Sequence, residues 1–267
     1  MVKKGLLLLV SCAYFLGLNG QTLAYEKYTS KNGLVSDRIT AIAQDEKGFM
    51  WFGSFFGISR YDGKKFEKVE LHEQQKNKYV NCLLSAHGKM YAGFLFGGGL
   101  AEYDRGKVKA YFINKESAGN DITCMNDNGD GSLVLANAAG EVYVFKNGHF
   151  RFLVRLPLKP RMHPRQILKD RAGTYWIATE QGLFLLPPPY NRLQPYFTNE
   201  FVYSVSIDAR DSIWFCRTDG KKTIVQKTAG HPIKAELIYA SPHLKTGVFS
   251  NSGGNGIWQL DVDRDLF

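Results

Sequence analysis

The sequence predicts an all-β protein, on three observations. Short apolar runs are cut by Asp- and Gly-rich turns, as in ITAIAQDEKGFMWFGSFFGISRYDGKKFE at residues 39–67. Aromatic residues make up 13% of the chain and sit mostly beside Gly and Asp, away from helical spacing. One order of strands and turns also recurs about every forty residues, the mark of a repeat architecture.

The first element is a leader. Lys3 and Lys4 precede an apolar run at residues 5–18, and Asn19 and Gly20 form a small, polar exit. This predicts a secretory signal peptide over residues 1–20, with cleavage as late as residue 24. The run is shorter than the ~20 apolar residues a membrane span needs. No later segment is long and apolar enough, so no membrane span is expected apart from the leader. Losing Lys3 and Lys4 with no acid lowers the net charge from +9 to +7. A basic exported protein suits an anionic ligand, and the absence of any Lys/Arg block argues against nucleic acid. Cys82, Cys124 and Cys216 remain after processing. Their odd number and wide spacing fit neither a disulfide framework nor a metal site, and they are expected to be small buried hydrophobes.

The repeats follow, over residues 25–267. Aligning the second strand of each unit gives Trp51, Tyr91, Val134, Trp176, Trp214 and Val248, at intervals of 40, 43, 42, 38 and 34 residues. A turn precedes each of the first five anchors: IAQDEKG, LLSAHGK, CMNDNGDG, ILKDRAG and SIDARDS. Four strands per unit of about forty residues predict a β-propeller of four-stranded antiparallel blades. A β-sandwich would not repeat one four-strand pattern five times, and a β-helix has shorter coils. About six blades are visible, as a complete ring or as part of an incomplete seven-bladed one. YEKYTS, at residues 25–30, resembles an outermost strand and is a candidate to complete the last blade. Trp51, Trp176 and Trp214 are expected in the core.

NGLVSDRITAIAQDEKGFMWFGSFFGISRYDGKKF closely resembles the two-component regulator propeller repeat, and RAGTYWIATEQGLFLL is a second good copy. The resemblance covers residues 25–261. It implies the periplasmic sensor region of a hybrid two-component histidine kinase, binding an oligo- or polysaccharide and dimerising within a full-length sensor. The chain lacks the kinase, receiver and membrane helix of that plan, so it is expected to be non-catalytic, either a truncated sensor or a solitary propeller.

Chemistry in the sequence is sparse. The six histidines have no recurrent partner spacing, and Asn126–Gly131 imitates a calcium loop where the other repeats have their first hairpin turn. Neither a metal nor a cofactor is expected. In a propeller the second-to-third-strand loops share one face with the blade connections. Those loops carry Phe55-Phe56, Phe94-Leu95-Phe96, Asn137-Ala138, Glu180-Gln181, Arg217-Thr218-Asp219 and Asn251-Ser252. Aromatic faces stack on sugar rings and polar groups orient hydroxyls, so Phe56, Phe96, Glu180, Arg217 and Asp219 form the expected glycan pocket. The alternatives are a propeller lyase, using Glu180 or His149, and a solitary protein-binding scaffold.

Overall fold

The computed structural model describes residues 26–114, 119–207 and 212–218, and the backbone of two further strands at 223–228 and 235–241. The leader, Val248 with the sixth repeat, and Asp219 lie outside the described residues. Among them there is no α-helix, only a single 3₁₀ turn at Ser30–Asn32.

Among the described residues twenty strands form five antiparallel sheets, each taking four strands in chain order. The first blade is β1 (Ile39–Gln44), β2 (Met50–Ser54), β3 (Gly57–Tyr61) and β4 (Phe66–Val69). The second is β5 (Val80–Ala86), β6 (Lys89–Phe94), β7 (Leu100–Asp104) and β8 (Lys107–Tyr111). The third is β9 (Ile122–Asp127), β10 (Leu133–Asn137), β11 (Glu141–Lys146) and β12 (His149–Arg155). The fourth is β13 (Pro164–Lys169), β14 (Tyr175–Thr179), β15 (Gly182–Leu186) and β16 (Gln194–Thr198). The fifth is β17 (Phe201–Ile207), β18 (Ile213–Thr218), β19 (Thr223–Thr228) and β20 (Ala235–Ser241). The first strands β1, β5, β9, β13 and β17 lie side by side in that order. Sheets joined through their innermost strands and stacked face to face make a β-propeller, open among the described residues.

The anchors fall on the second strands, and each described anchor up to Trp176 packs between its own blade and the next. Trp51 joins Ile58, Val80 and Phe94 between the first two blades. Tyr91 joins Ile122 and Leu135, and Val134 joins Ile177 and Phe184. Trp176 joins Val202 and Phe215 between the fourth and fifth. Trp51 and Trp176 are each 1% exposed. Trp214 departs from the expectation and is half-buried. It lies on the opposite face of the fifth blade from Phe215, which packs toward the fourth. At the other end Ile42 is 50% exposed, on the first blade.

Two of the Trp anchors are also held by the preceding turn. The Trp51 indole donates to Asp45 Oδ2 at 2.9 Å, and Asp45 Oδ1 accepts from Lys47 and Phe49 N–H. Trp176 donates to Asp170 Oδ2 at 2.7 Å, and Asp170 Oδ1 accepts from Thr174 N–H. One carboxylate thus closes the hairpin and satisfies the buried indole, which would otherwise be an unpaired donor. Asn126–Gly131 takes the equivalent place and is a hairpin turn, with Asn128 N–H on Ser132 O at 3.0 Å.

The segment expected to act as a closing strand does not form one. Residues 26–29 carry no strand, and Tyr28 packs its ring on Tyr61 and Phe66 of the first blade, at 5.6 and 5.4 Å. An aromatic pocket on its own blade captures this stretch. Cys124 and Cys216 are buried and Cys82 is half-buried. Burial pushes Cys124 up to about 12 and Cys216 up to about 11, so neither is a thiolate at neutral pH.

Candidate functional site at the mouth of the blades

Strand register decides which loops share an end. Ile39 pairs with Ser54 and Ile58 with Val69, so the entry to β1, the β2–β3 loop and the exit from β4 lie together. The same pairing repeats down the chain, and these loops form the mouth around the innermost strands.

Each blade carries one extra residue in its first strand beside this mouth. The register of β1 skips Thr40, that of β5 skips Asn81, and that of β9 skips Thr123. In β13 it skips Arg165, and in β17 it skips Tyr203. A bulge in the same place five times re-aims one side chain per blade and raises the local twist. Nothing in the residue pattern announces it, because the five bulged residues share no chemistry.

In the first two blades the bulged side chains bond to the next blade. Thr40 donates its hydroxyl to Val80 O at 2.6 Å. Asn81 donates Nδ2 to Thr123 O at 2.6 Å. Thr123 turns back to Ala136 O, within its own blade, at 3.1 Å. From the fourth blade on the pattern changes. Arg165 has a 51% exposed side chain, 3.6 Å from Glu180 and over the Phe201 ring at 5.9 Å. Tyr203 lies against Phe201, with ring centres 4.5 Å apart.

Phe56 and Phe96 stand out of the mouth, 64% and 61% exposed. They flank a stack that joins two blades: Phe55 lies on Tyr79 at 4.1 Å and 25°, and Tyr79 meets Phe96 at 5.6 Å. The guanidinium of Arg38 covers the other side of Phe55 at 4.3 Å. The loop under Phe96 is fastened at several points. Leu95 N–H donates to Tyr79 O, Gly99 N–H to Asn120 O, and Gly97 N–H to Asp121 Oδ1. Asn77 holds the Phe96 carbonyl, and Phe96 itself sits at φ 55°. A large exposed apolar ring held in a left-handed conformation by its neighbours is positioned for contact with something else. Tyr79, adjacent in space to both rings but distant in sequence, had no signal of its own.

Glu180 and Arg217 lie at the same end but hold internal bonds. Glu180 Oε2 accepts from His163 N–H at 3.1 Å, and His163 Nδ1 is 2.9 Å from Ala138 O. Arg217 pairs with Glu200 and covers the Phe197 ring at 4.5 Å. Asn137 is fully buried; its amide bonds Gly119 O and Glu141, each at 2.9 Å. His149, the other residue considered for catalysis, is exposed on β12, the outermost strand of its blade, and so stands apart from the mouth. Among the described residues no cluster of His, Cys, Asp or Glu could hold a metal ion. No described helix is long and apolar enough to cross a membrane.

The sequence profile of the two component regulator propeller matches residues 33–56, within the first blade, where the resemblance was strongest. No curated protein gives a significant sequence match. Among solved structures, the chain is similar to the extracellular domain of a protein assigned as a hybrid two component system of B. thetaiotaomicron. Identity there is 18%, over 79% of this chain and 31% of that one, with a TM-score of 0.65. It is similar to the extracellular domain of a protein assigned as a one component system of that organism, at 14% identity, over 75% and 35% of the chains, with a TM-score of 0.54. A third similar structure is virginiamycin B lyase of Staphylococcus aureus, 15% identical over 75% and 69% of the chains, with a TM-score of 0.62. These likenesses establish the propeller fold. The chain spans about a third of the length of the two extracellular domains.

Proposed function

We propose that this chain is the ligand-binding propeller of a periplasmic sensor in a two-component system, recognising an oligo- or polysaccharide at its mouth without transforming it. The observation that carries the reading is the aromatic shelf of Phe55, Tyr79 and Phe96 with Phe56 beside it, two of its rings more than half exposed. Rings of this kind cover the apolar faces of pyranoses, while the surrounding amides and charges bond hydroxyls. The regulator repeat in the first blade and the likeness to extracellular domains of bacterial sensors support the same reading. In a full-length receptor, ligand capture here would act through homodimeric partners.

The test is calorimetric titration of the protein with a panel of soluble oligo- and polysaccharides, repeated with Phe56→Ala and Phe96→Ala. Each substitution is expected to weaken binding about five- to tenfold and to leave the melting temperature unchanged, since the rings are solvent-facing. Undiminished affinity in both variants would refute the shelf as the site.

A second reading, a propeller lyase, draws on the likeness to virginiamycin B lyase and on the His163–Glu180 contact at the mouth. It requires bond cleavage in a bound saccharide, seen as new unsaturated ends, and loss of that turnover in Glu180→Gln. Intact ligand recovered after prolonged incubation favours the sensor.

A further inference from the structure

Arg38, Arg60, Arg165 and Arg217 lie over aromatic rings, and they divide by what happens at the guanidinium edge. Arg60, over Phe49 at 4.7 Å, is paired with Glu67 at 2.7 Å. Arg217, over Phe197, is paired with Glu200. The other two stand at the mouth, one with no described carboxylate partner and the other with a long, half-exposed contact. Arg38, exposed and over Phe55 at 4.3 Å, has no carboxylate at ion-pair distance among the described residues. The neighbouring Asp37 is occupied by Ser30 N–H. Arg165, over Phe201, is paired with Glu180 Oε1 at 3.6 Å, longer than the 2.7 Å of Arg60, with its side chain 51% exposed, while Oε2 of that carboxylate accepts from His163 N–H.

An aromatic ring engages the face of a guanidinium and leaves its in-plane N–H donors available. Those donors match the two oxygens of a carboxylate or a sulfate ester. Arg165 is moreover the bulged residue of its blade, aimed by the same backbone device that in Thr40 and Asn81 serves bonds between blades.

Resting on the saccharide-sensor reading, we infer that the ligand is an acidic saccharide whose anionic groups are bound by Arg38 and Arg165, one on each side of the mouth. The aromatic shelf then takes the sugar faces, and the two arginines set the requirement for charge.

The experiment is calorimetry against three probes of comparable length: polygalacturonate oligosaccharides, sulfated galactan oligosaccharides and neutral galactan oligosaccharides. Arg38→Gln and Arg165→Gln are compared with Arg105→Gln, which lies in the β7–β8 turn at the opposite end. An acidic probe is expected to bind at least about tenfold tighter than the neutral one and to weaken with added salt. Each mouth substitution is expected to cost about tenfold on that probe, with Arg105→Gln silent and melting temperatures unchanged. Whether the carboxylated or the sulfated probe wins identifies the anionic group. Equal or preferential binding of the neutral probe overturns the inference and leaves the saccharide reading standing. Binding of none of the three, nor of any saccharide in the broader panel, overturns both.

Discussion

The mouth of the first two blades and that of the fourth and fifth use one backbone device for two purposes. In the first pair the bulged Thr40 and Asn81 reach across to carbonyls of the next blade, and Phe55 and Tyr79 stack over the joint. In the second pair the bulged residues are Arg165 and Tyr203, resting on Phe201. A repeat therefore fixes where a side chain is presented, while the residue placed there decides whether it bonds across to the next blade or rests on an aromatic ring at the mouth. The shared bulge also explains how a polar ring can surround the mouth without a polar core: each polar residue is extra to the pairing and displaces nothing in the ladder.

The sharpest way to break the comparison is at the blade interfaces. Trp176→Ala should cost ~3–5 kcal/mol in chemical denaturation, as a cavity between packed sheets. Trp214→Ala, half-buried on the face that no described blade covers, should cost clearly less. Equal losses would mean that the last described interface is as fully packed as the others. Next in size is Gly182→Ala. A Cβ there would lie 1.8 Å from Phe197 O at φ 153°, so strand β16 must move away, for about 1–3 kcal/mol.

Smaller effects separate the two halves of the mouth. Thr40→Val leaves Val80 O without its donor and should cost about 1–2 kcal/mol. Tyr203→Phe, which removes no described bond, should stay within about 0.5 kcal/mol. A larger loss at Tyr203 than at Thr40 would reverse the assignment of fastening and presenting blades.

The smallest expected effect is pH dependence at Glu141. Burial pushes this carboxyl up, but hydrogen bonds from Arg155, Asn137 and Tyr143 outweigh it and hold the group below its ordinary value of 4.5. A folded-state value below the unfolded one gives stability that is present above pH 4.5 and lost as pH falls through the folded value. Glu141→Gln should lower stability at neutral pH and flatten the acid side of the profile, measured as denaturant midpoints between pH 6 and 3.

The repeat was legible because hairpin turns and buried anchors impose residue types: the same six-residue step from Asp to Trp links Asp45 to Trp51 and Asp170 to Trp176. It recurs from Asp208 to Trp214, with Asp208 outside the described residues. The exposed Phe56 and Phe96 were legible as loop aromatics. The bulges were not, since one extra residue in a strand has no compositional mark. Nor was the service of Glu180 to His163, or of Arg217 to Glu200, because partners 17 residues apart in sequence meet only through the turn between strands. Tyr28 escaped for the same reason, its strand-like neighbours in sequence outweighed by two rings of the first blade.

The most direct measurement of the central claim is amide hydrogen exchange on the protein with and without saturating polygalacturonate oligosaccharide. Slowed exchange confined to residues 35–38, 76–80, 95–99 and 163–166 is the expected result, placing the ligand across the mouth between Arg38 and Arg165. Protection concentrated in the opposite turns at 45–48, 128–132 and 170–173, or no protection anywhere, would contradict it.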